Sequence, residues 1–321
     1  MSTSLTDTTG PEVAAVPLAV NVAQARADRR WRLQEKISPY LFVAPFFLLF
    51  CLFFVEPLCK SLTLSMYKTA GPRSQAFVGL ENYKYLIVQD RAFRLAVLNT
   101  AAYAVLYLIF NIPLALILAV VMNHPKVVAR NIFRFAFFSS HLVGNVFVAV
   151  IFGQMFSHNG LVNTFLERTF HIQAIPWTTN PHLVLPCLLT ATVWMSVGYS
   201  MIYFLAALQA VDKGLYEAAA IDGAGRVSTF WHVTVPGIRP VLIYMILVGS
   251  IGAFQLFDLP YVMYQGAGPG GAAMTIVMYL FTMGFGTGDL GYASAVGWTL
   301  FLMLATVALV QMRILRAEKE F

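Results

Sequence analysis

Long apolar stretches without any charged side chain alternate with short polar segments along the chain. Asp, Glu, Lys and Arg are absent from 37–55, 95–125, 135–166, 169–211, 240–257, 259–288 and 290–312. A helix needs ~20 largely apolar residues to cross the ~30 Å hydrocarbon layer of a bilayer. We therefore predict six transmembrane helices, at 38–60, 95–122, 136–156, 184–208, 241–261 and 292–312.

The remaining apolar stretch, 274–286, is too short for a straight crossing and follows the Gly- and Pro-rich segment 265–273. Such a segment is typical of a re-entrant or interfacial helix. A seventh crossing would also place Arg313, Arg316 and Lys319 on the opposite side from the other basic loops. We therefore keep the count at six.

Composition supports a membrane protein, because 59% of the residues are hydrophobic, 11% are charged and the mean hydropathy is +0.70. With the N-terminus inside, the inner segments hold 14 of the 21 Lys and Arg residues. They are Arg26, Arg29, Arg30, Arg32, Lys36, Lys126, Arg130, Arg134, Lys213, Arg226, Arg239, Arg313, Arg316 and Lys319. This bias predicts that both termini are cytoplasmic and that 61–94 and 157–183 lie outside.

The N-terminal segment does not read as a signal peptide, because the apolar run from Val13 to Val22 contains Pro17 and precedes its basic cluster. We predict a disordered cytoplasmic tail over residues 1–24, within an N-terminal tail that extends to residue 35. The net charge of +6 is explained by topology and lipid contact.

Motifs for soluble chemistry are weak or missing. Gly266, Gly268 and Gly271 match the spacing G-x-G-x-x-G, but they lie between membrane segments and not in a βαβ unit. The sequence has no Gly-Lys dipeptide, so the chain is not a P-loop ATPase. The histidines lack metal-binding spacing, no catalytic pair is evident, and we predict no metal site. The three cysteines, Cys51, Cys59 and Cys187, are interpreted as packing residues.

Polar side chains inside predicted spans are costly and usually face a bundle interior or a wet cavity. The candidates for a solute path are Asn111, Asn145, Trp194, Tyr199, Gln255, Asp258 and Tyr261. Each of them has an alternative role, as a hydrogen-bonding partner of a neighbouring helix.

A small-residue segment between the fourth and fifth spans has its own local signals. Asp212 is placed to cap a helix that begins at Lys213, and Gly223 to end it. A second short helix is expected from Arg226, and Val235-Pro236 is expected to break it. The alanines permit close approach of a partner, which is typical of a helix that docks in a groove. The alternative is an amphipathic loop on the lipid surface.

Glu217, Ala218, Ala219, Gly223 and the run from Val233 to Pro236 resemble the EAA signature of permease subunits in binding-protein-dependent ABC importers. Valine stands where that family often has Ile and Leu. The run Gly266 to Pro269, with Thr275, Tyr279, Phe285 and the run Gly291 to Ala295, resembles the carbohydrate-uptake branch of the family, on the side of the maltose-type first permease. The resemblance covers about residues 40 to 316.

The resemblance implies an all-α integral membrane protein with the type I permease fold of ABC importers. Its domains would be the cytoplasmic tail at 1–35 and a six-span permease domain at 36–321. The ATPase-docking loop at 212–236 would act through Glu217, Ala218, Ala219, Asp222, Gly223 and Pro236. The family also places the solute cavity along the fifth span. Gln255, Asp258 and Tyr261 are therefore preferred, because planar hydrogen-bonding groups and aromatic faces suit sugar rings.

The implied function is import of a sugar or oligosaccharide by alternating access across the bacterial cytoplasmic membrane. The partners would be a homologous permease, two ATP-binding cassette subunits and an extracytoplasmic solute-binding protein. ATP and Mg would bind the cassette subunits, so this chain would be no enzyme and hold no cofactor. The alternatives are a secondary transporter or channel for a small polar solute and, more weakly supported, a membrane-embedded enzyme. The sequence leaves open which carbohydrate is carried and whether the second permease is a distinct chain.

Overall fold

Helices of membrane length, joined by shorter helices and one hairpin, make up the computed structural model, which describes residues 18–71 and 74–317. The helices are α1 Leu18–Phe50, α2 Glu56–Leu64, α3 Glu81–Val88, α4 Arg91–Asn123, α5 Arg130–Ser139, α6 Asn145–Met155, α7 Leu161–Phe170, α8 Pro181–Ala210, α9 Lys213–Ile221, α10 Arg226–Thr229, α11 Val235–Phe254, α12 Asp258–Tyr264, α13 Ile276–Phe281 and α14 Leu290–Ala317. Single π turns follow α1, α10 and α13, and 3₁₀ turns are formed by Ser140–Leu142 and Pro269–Gly271.

The described residues fall into two compact units, one ending at Lys60 and the other beginning at Ser61. In the first unit, α1 begins at Leu18, within the segment where we expected a disordered tail. Residues 1–17 of that tail lie outside the described residues. From residue 18 the chain is rich in Ala, Arg, Gln and Leu, which favour a helix.

The described residues agree with the predicted count of six spans when one bent pair of helices is counted as a single span. Five helices are long and apolar enough to cross a membrane, namely Gln34–Leu64, Arg91–Asn123, Pro181–Ala210, Arg226–Phe254 and Leu290–Arg313. The sixth predicted span, 136–156, is a pair of helices, Arg130–Leu142 and Asn145–Met155, bent by 97°. The stretch 274–286 forms the shorter apolar helix Ile276–Gly286.

The bend in the third span lies at Val143 and Gly144, both of which have extended backbone angles. The Ser140 hydroxyl donates to the carbonyl oxygens of Phe137, 2.8 Å away, and of Trp194 on α8, 2.9 Å away. A Cβ at Gly198 on α8 would lie 1.9 Å from the Phe137 carbonyl oxygen. The first half of this span is therefore held against α8 by close backbone contact.

The fifth span was predicted at 241–261, and those limits are wrong. Its helix runs without a gap from Arg226 through Pro236 to Phe254. The π turn at Phe230–Thr234 lets Val235 N–H donate to the Phe230 carbonyl, which accommodates the proline without a break. At the other end, the Leu256 carbonyl accepts from the Thr275 hydroxyl, 2.7 Å away, and Phe257 leaves the helical conformation.

Strands β1 Tyr67–Thr69 and β2 Gln75–Phe77 form an antiparallel hairpin, which the pattern of apolar residues does not predict. Thr69 is held through its N–H and its hydroxyl, which donate to Asp289 Oδ1 over 3.1 and 3.0 Å. The Gly291 N–H donates to Thr69 Oγ1 over 2.9 Å. The hairpin is therefore fastened to the start of α14.

Helices α4 and α8 form the centre of the second unit. Tyr103 on α4 donates to Thr192 Oγ1 on α8 over 2.9 Å, and both side chains are buried. Apolar residues surround this contact in two clusters, one including Leu86, Val148 and Leu188 and the other Ala115, Met201 and Phe204. The broken third and fifth spans pack on this central pair.

Candidate functional site

A cavity of about 270 Å³ lies between α4, α8, α11 and the two helix breaks of the third and fifth spans. Its wall is formed by Tyr103, Tyr107, Asn111, His141, Asn145, Thr192, Met195, Ser196, Tyr199, Ser200, Met245, Val248, Gly249, Gly252, Ala253, Gln255, Leu256, Phe257, Asp258 and Leu259. Hydroxyl, amide and carboxyl groups are thus interleaved with aromatic and apolar side chains, as in a pocket that holds a small molecule through a few placed polar groups.

The floor of the cavity is a buried hydrogen-bond network between α4 and α8. Asn111, which is 1% exposed, donates from Nδ2 to Ser200 Oγ over 3.0 Å and accepts at Oδ1 from Ser196 Oγ over 3.1 Å. Ser196 and Thr192 also bond carbonyl oxygens one helical turn earlier on α8. The network satisfies the amide of Asn111 within the apolar interior.

The two helix breaks meet at one side of the cavity. Asn145, the first residue of α6, donates from Nδ2 to Oδ2 of Asp258, the first residue of α12, over 3.2 Å. Both side chains are exposed in the isolated chain. Gln255 lies at the end of α11, directly before the second break. Broken helices place polar backbone and side chains where a membrane protein lines a water-filled path.

Aromatic rings form another side of the wall. His141 stacks on Tyr199 with ring centroids 4.6 Å apart, and the Tyr199 hydroxyl donates to the Tyr203 hydroxyl over 3.2 Å. Tyr203 in turn stacks on Tyr244 of α11. Such faces can pack against the apolar faces of a ring-shaped solute, while the hydroxyl groups supply hydrogen bonds.

Of the seven predicted solute-path residues, the structure brings Asn111, Asn145, Tyr199, Gln255 and Asp258 together in this wall. It does not bring Trp194 or Tyr261 there. Trp194 packs on Phe152 with ring centroids 5.6 Å apart, and Tyr261 packs on Phe257 and Phe281. The orientation of both rings is set by contacts with aromatic neighbours. These contacts cannot be read from the position of a residue in the sequence.

Other wall residues were not singled out from the sequence, although a signal for them exists. Tyr103, Tyr107 and Asn111 follow one another at intervals of four on α4. Thr192, Ser196 and Ser200 do the same on α8. Residues four apart share one face of a helix, so two polar stripes in apolar spans indicate helix faces that meet around a polar space.

The predicted small-residue segment forms the helix that was expected. Asp212 caps α9 by accepting from the Gly214 N–H over 2.9 Å. The helix ends with Gly223 at φ +72°, where Gly223 N–H donates to the Ala220 carbonyl and Ala224 N–H to the Ala219 carbonyl. This pair of bonds is the Schellman arrangement, so Gly223 has the helix-ending role assigned to it.

A groove of about 280 Å³ lies between α9 and α10 with its π turn. Its walls include Ala218, Ala219 and Asp222, whereas Glu217 is exposed on α9. Pro236 was expected to break the chain here, but it lies inside the continuous fifth span. The Tyr216 hydroxyl is 3.2 Å from the Thr234 hydroxyl, which ties α9 to the beginning of that span.

Among the described residues, no group of three or more His, Cys, Asp or Glu side chains is arranged to hold a metal ion. Cys187 is buried, while Cys51 and Cys59 are exposed. The cavity wall offers hydrogen-bonding groups and aromatic ring faces. Among the described residues, it contains one carboxylate and no Lys or Arg.

Residues 96–317 match the family described as binding-protein-dependent transport system inner membrane component. The arabinooligosaccharides transport system permease protein AraP of Bacillus subtilis (strain 168) is 35% identical over 300 residues, which cover 91% of this chain and 94% of that protein. The lactose transport system permease protein LacF of Rhizobium radiobacter is 34% identical over 286 residues, which cover 88% of this chain and 95% of that protein.

Solved structures share the fold. A chain of a bacterial ABC transporter involved in the import of the acidic polysaccharide alginate matches with a TM-score of 0.73 at 22% identity, covering 90% of this chain and 99% of that one. A second structure of a bacterial alginate transporter, in complex with a pentasaccharide-bound periplasmic protein, gives a TM-score of 0.76 at 22% identity, covering 87% and 96%. At this identity the likeness concerns the fold, which is that of an ABC importer permease.

Proposed function

The chain belongs to the binding-protein-dependent transport system inner membrane components, and from this we propose that it is the permease subunit of an ATP-driven importer of a sugar or oligosaccharide. The observation that carries the proposal is the cavity between α4, α8 and the two helix breaks, with its hydroxyl, amide and aromatic wall. The sugar substrates named for the similar permeases AraP and LacF support the same class of solute.

Solute enters from the outer side, where a solute-binding protein releases it, and passes through the cavity. Asn111 and Ser200 bond to each other at the floor, and Asp258 and Gln255 supply hydrogen bonds to the solute at the helix breaks. Tyr107, Tyr199 and Phe257 provide ring faces, which suit the apolar faces of sugar rings. A homologous permease, either another chain or a second copy, closes the open side of the path.

Two ATP-binding cassette subunits, which hold the ATP and Mg, dock on α9 and on the groove beside it. The small side chains of Ala218 and Ala219 permit close approach, and the groove also presents Asp222. Exposed apolar side chains nearby, Ile221, Val227 and Trp231, supply surface for a partner to bury. The partners hydrolyse ATP, so this chain is no enzyme and binds no cofactor.

Transport follows from alternating access. Closure of the cassette pair moves α9, and the hydroxyl contact between Tyr216 and Thr234 passes that movement to the start of the fifth span. The fifth span carries Gln255 and leads into the break before Asp258, so its displacement opens or closes the cavity. Both termini lie in the cytoplasm in this arrangement, and the membrane is the bacterial cytoplasmic membrane.

Gly252 provides a direct test of the solute path. It lines the cavity from α11, and a Cβ at this position would have no atom within 4 Å. Gly252→Trp should fill the cavity and abolish ATP-dependent uptake of the cognate saccharide by the reconstituted complex. Gly252→Ala should retain uptake, since a methyl group fits the open space. Basal ATP hydrolysis and subunit assembly should persist in both variants.

Undiminished uptake by an assembled Gly252→Trp complex would contradict the cavity as the solute path. Uptake that continues in proteoliposomes without ATP would contradict the ATP-driven mechanism. That second result would favour the alternative, a secondary transporter or channel for a small polar solute.

A further inference from the structure

The charge of the cavity wall is concentrated in one side chain. Among the described residues that line the cavity, Asp258 is the only Asp or Glu, and none is Lys or Arg. A carboxyl side chain carries a negative charge at neutral pH. His141 is the other ionisable group of the wall besides the tyrosines, and its ring stacks on Tyr199.

The hydrogen bond from Asn145 leaves most of the acceptor capacity of this carboxylate unused. Asn145 Nδ2 donates to Oδ2 over 3.2 Å, whereas a carboxylate has about four acceptor sites. Asp258 is also exposed in the isolated chain. It can therefore accept further hydrogen bonds from hydroxyl groups, and such charge-assisted bonds are stronger than bonds between neutral groups.

Among the described residues of the cavity wall, no Lys or Arg is present to attract an anion. The N-terminus of α6 carries a partial positive charge, but its first residue, Asn145, already contacts the Asp258 carboxylate. A neutral saccharide would gain hydrogen bonds here. A uronate would bring a second carboxylate towards Asp258, and like charges repel each other.

We propose that Asp258 is the residue by which this cavity selects neutral saccharides and rejects anionic ones such as uronates. The inference rests on the proposed function and adds the class of substrate to it. Rejection depends on the charge of the side chain, so an isosteric amide at position 258 should remove it while the shape of the wall is kept.

The test measures saccharide binding to the complete complex in lipid nanodiscs, without the solute-binding protein, so that only the permease cavity selects. ATP and vanadate hold the cassette subunits closed during the measurement. The probes are matched pairs of neutral disaccharides and their C6-oxidised uronates in the gluco, galacto and manno series. We expect the wild-type complex to bind a neutral member at least about tenfold more tightly than its uronate.

Four variants separate charge from structure. Asp258→Asn should bring the two affinities within about threefold, mainly through tighter uronate binding, and Asp258→Lys should reverse the preference. Glu167→Gln removes an equal charge from the exposed face of α7, outside the cavity wall, and should leave the ratio unchanged. Asn145→Ala removes the hydrogen bond but keeps the carboxylate, so the discrimination should remain.

A wild-type measurement covers the case in which the variants at position 258 do not assemble. Raising KCl from about 50 to about 500 mM should weaken the rejection of the uronate and leave neutral binding unchanged, because salt screens charge. Equal binding of both probes, or an unaltered ratio in an assembled Asp258→Asn complex, would overturn the charge selection and leave the saccharide path intact. If neither the neutral saccharides nor the uronates bind, the proposal that the cavity is the solute path is contradicted, and the charge selection by Asp258 is contradicted with it.

Discussion

Gly291 shows how one residue constrains the outer part of the molecule. A Cβ at this position would lie 1.9 Å from the Tyr67 carbonyl oxygen and 3.1 Å from that of Leu64. The first turn of α14 can therefore approach the hairpin only because residue 291 has no side chain. This contact gives a physical reason for the glycine in the run Gly291 to Ala295.

We expect Gly291→Ala to lower the thermal unfolding temperature of the purified complex by ~5 °C, because overpacking against backbone costs about 1–3 kcal/mol. The matched control is Gly252→Ala, since Gly252 lies outside the docking loop and a methyl group added there would meet no atom within 4 Å. Fluorescence-detected melting measures both variants. Equal melting temperatures for Gly291→Ala and the wild type would show that the hairpin moves away from the added methyl group without a loss of stability.

Asp90 is a second residue whose importance lies in its contacts. It caps α4 by accepting from the Phe93 N–H over 2.9 Å, and its Oδ2 accepts from the hydroxyl groups of Tyr279 and Tyr292. Burial alone would raise the pKa of Asp90, but these hydrogen bonds outweigh it and hold the pKa below its ordinary value. One ionised carboxylate therefore joins α4, α13 and α14.

The pH dependence of stability should reflect this carboxylate. A folded pKa below the unfolded one stabilises the fold above about pH 4, and this stabilisation is lost as the pH falls through the folded pKa. Asp90→Asn should cost about 2 kcal/mol at pH 7, because one amide oxygen cannot replace the carboxylate for both tyrosines. The difference in melting temperature between wild type and variant should shrink below about pH 4. A difference that stays constant with pH would contradict this role.

Among the secondary-structure elements, α9 has ends set by local rules. Asp212 begins it and Gly223 ends it in a left-handed conformation. A Cβ at Gly223 would meet no atom within 4 Å. The need for glycine is therefore a need for its backbone freedom, and crowding within this chain plays no part.

We expect Gly223→Val to distort the end of α9, because a β-branched residue at positive φ costs roughly 1–2 kcal/mol. ATP-driven uptake should fall by about tenfold or more while the spans remain inserted and basal ATP hydrolysis continues. Gly223→Asn is the matched control and should retain most uptake, since Asn tolerates the left-handed region. Similar losses in both variants would mean that side-chain size, and not backbone conformation, matters at the docking surface.

For the whole molecule, the distribution of Lys and Arg predicts which side of the membrane each segment faces. We expect single cysteines at Gln75 and Glu167 to react with an impermeant maleimide in intact cells, and a cysteine at Arg226 to react only after the membrane is opened. All three positions are exposed. The background should have Cys51, Cys59 and Cys187 replaced, because two of these are exposed. Labelling of position 226 from outside would reverse the predicted orientation.

Several features of this protein follow from the sequence by itself. The six spans were found because lipid requires a long run of apolar residues, which is a local property of the chain. The beginning and end of α9 were found because Asp212 and Gly223 act on backbone groups within a few residues of themselves. Polar residues such as Asn111 and Asp258 were recognised because their burial in lipid is costly.

Only the tertiary structure decided which of those residues meet. Asn145 and Asp258 are 113 positions apart, and Thr69 and Asp289 are 220 positions apart. The bend after Leu142 depends on the hydrogen bond from the Ser140 hydroxyl to the Trp194 carbonyl on α8. The end of α11 depends on the hydrogen bond from the Thr275 hydroxyl to the Leu256 carbonyl. Sequence periodicity describes one helix at a time, whereas a cavity is defined by the faces that several helices turn towards one another, and those faces are fixed by packing.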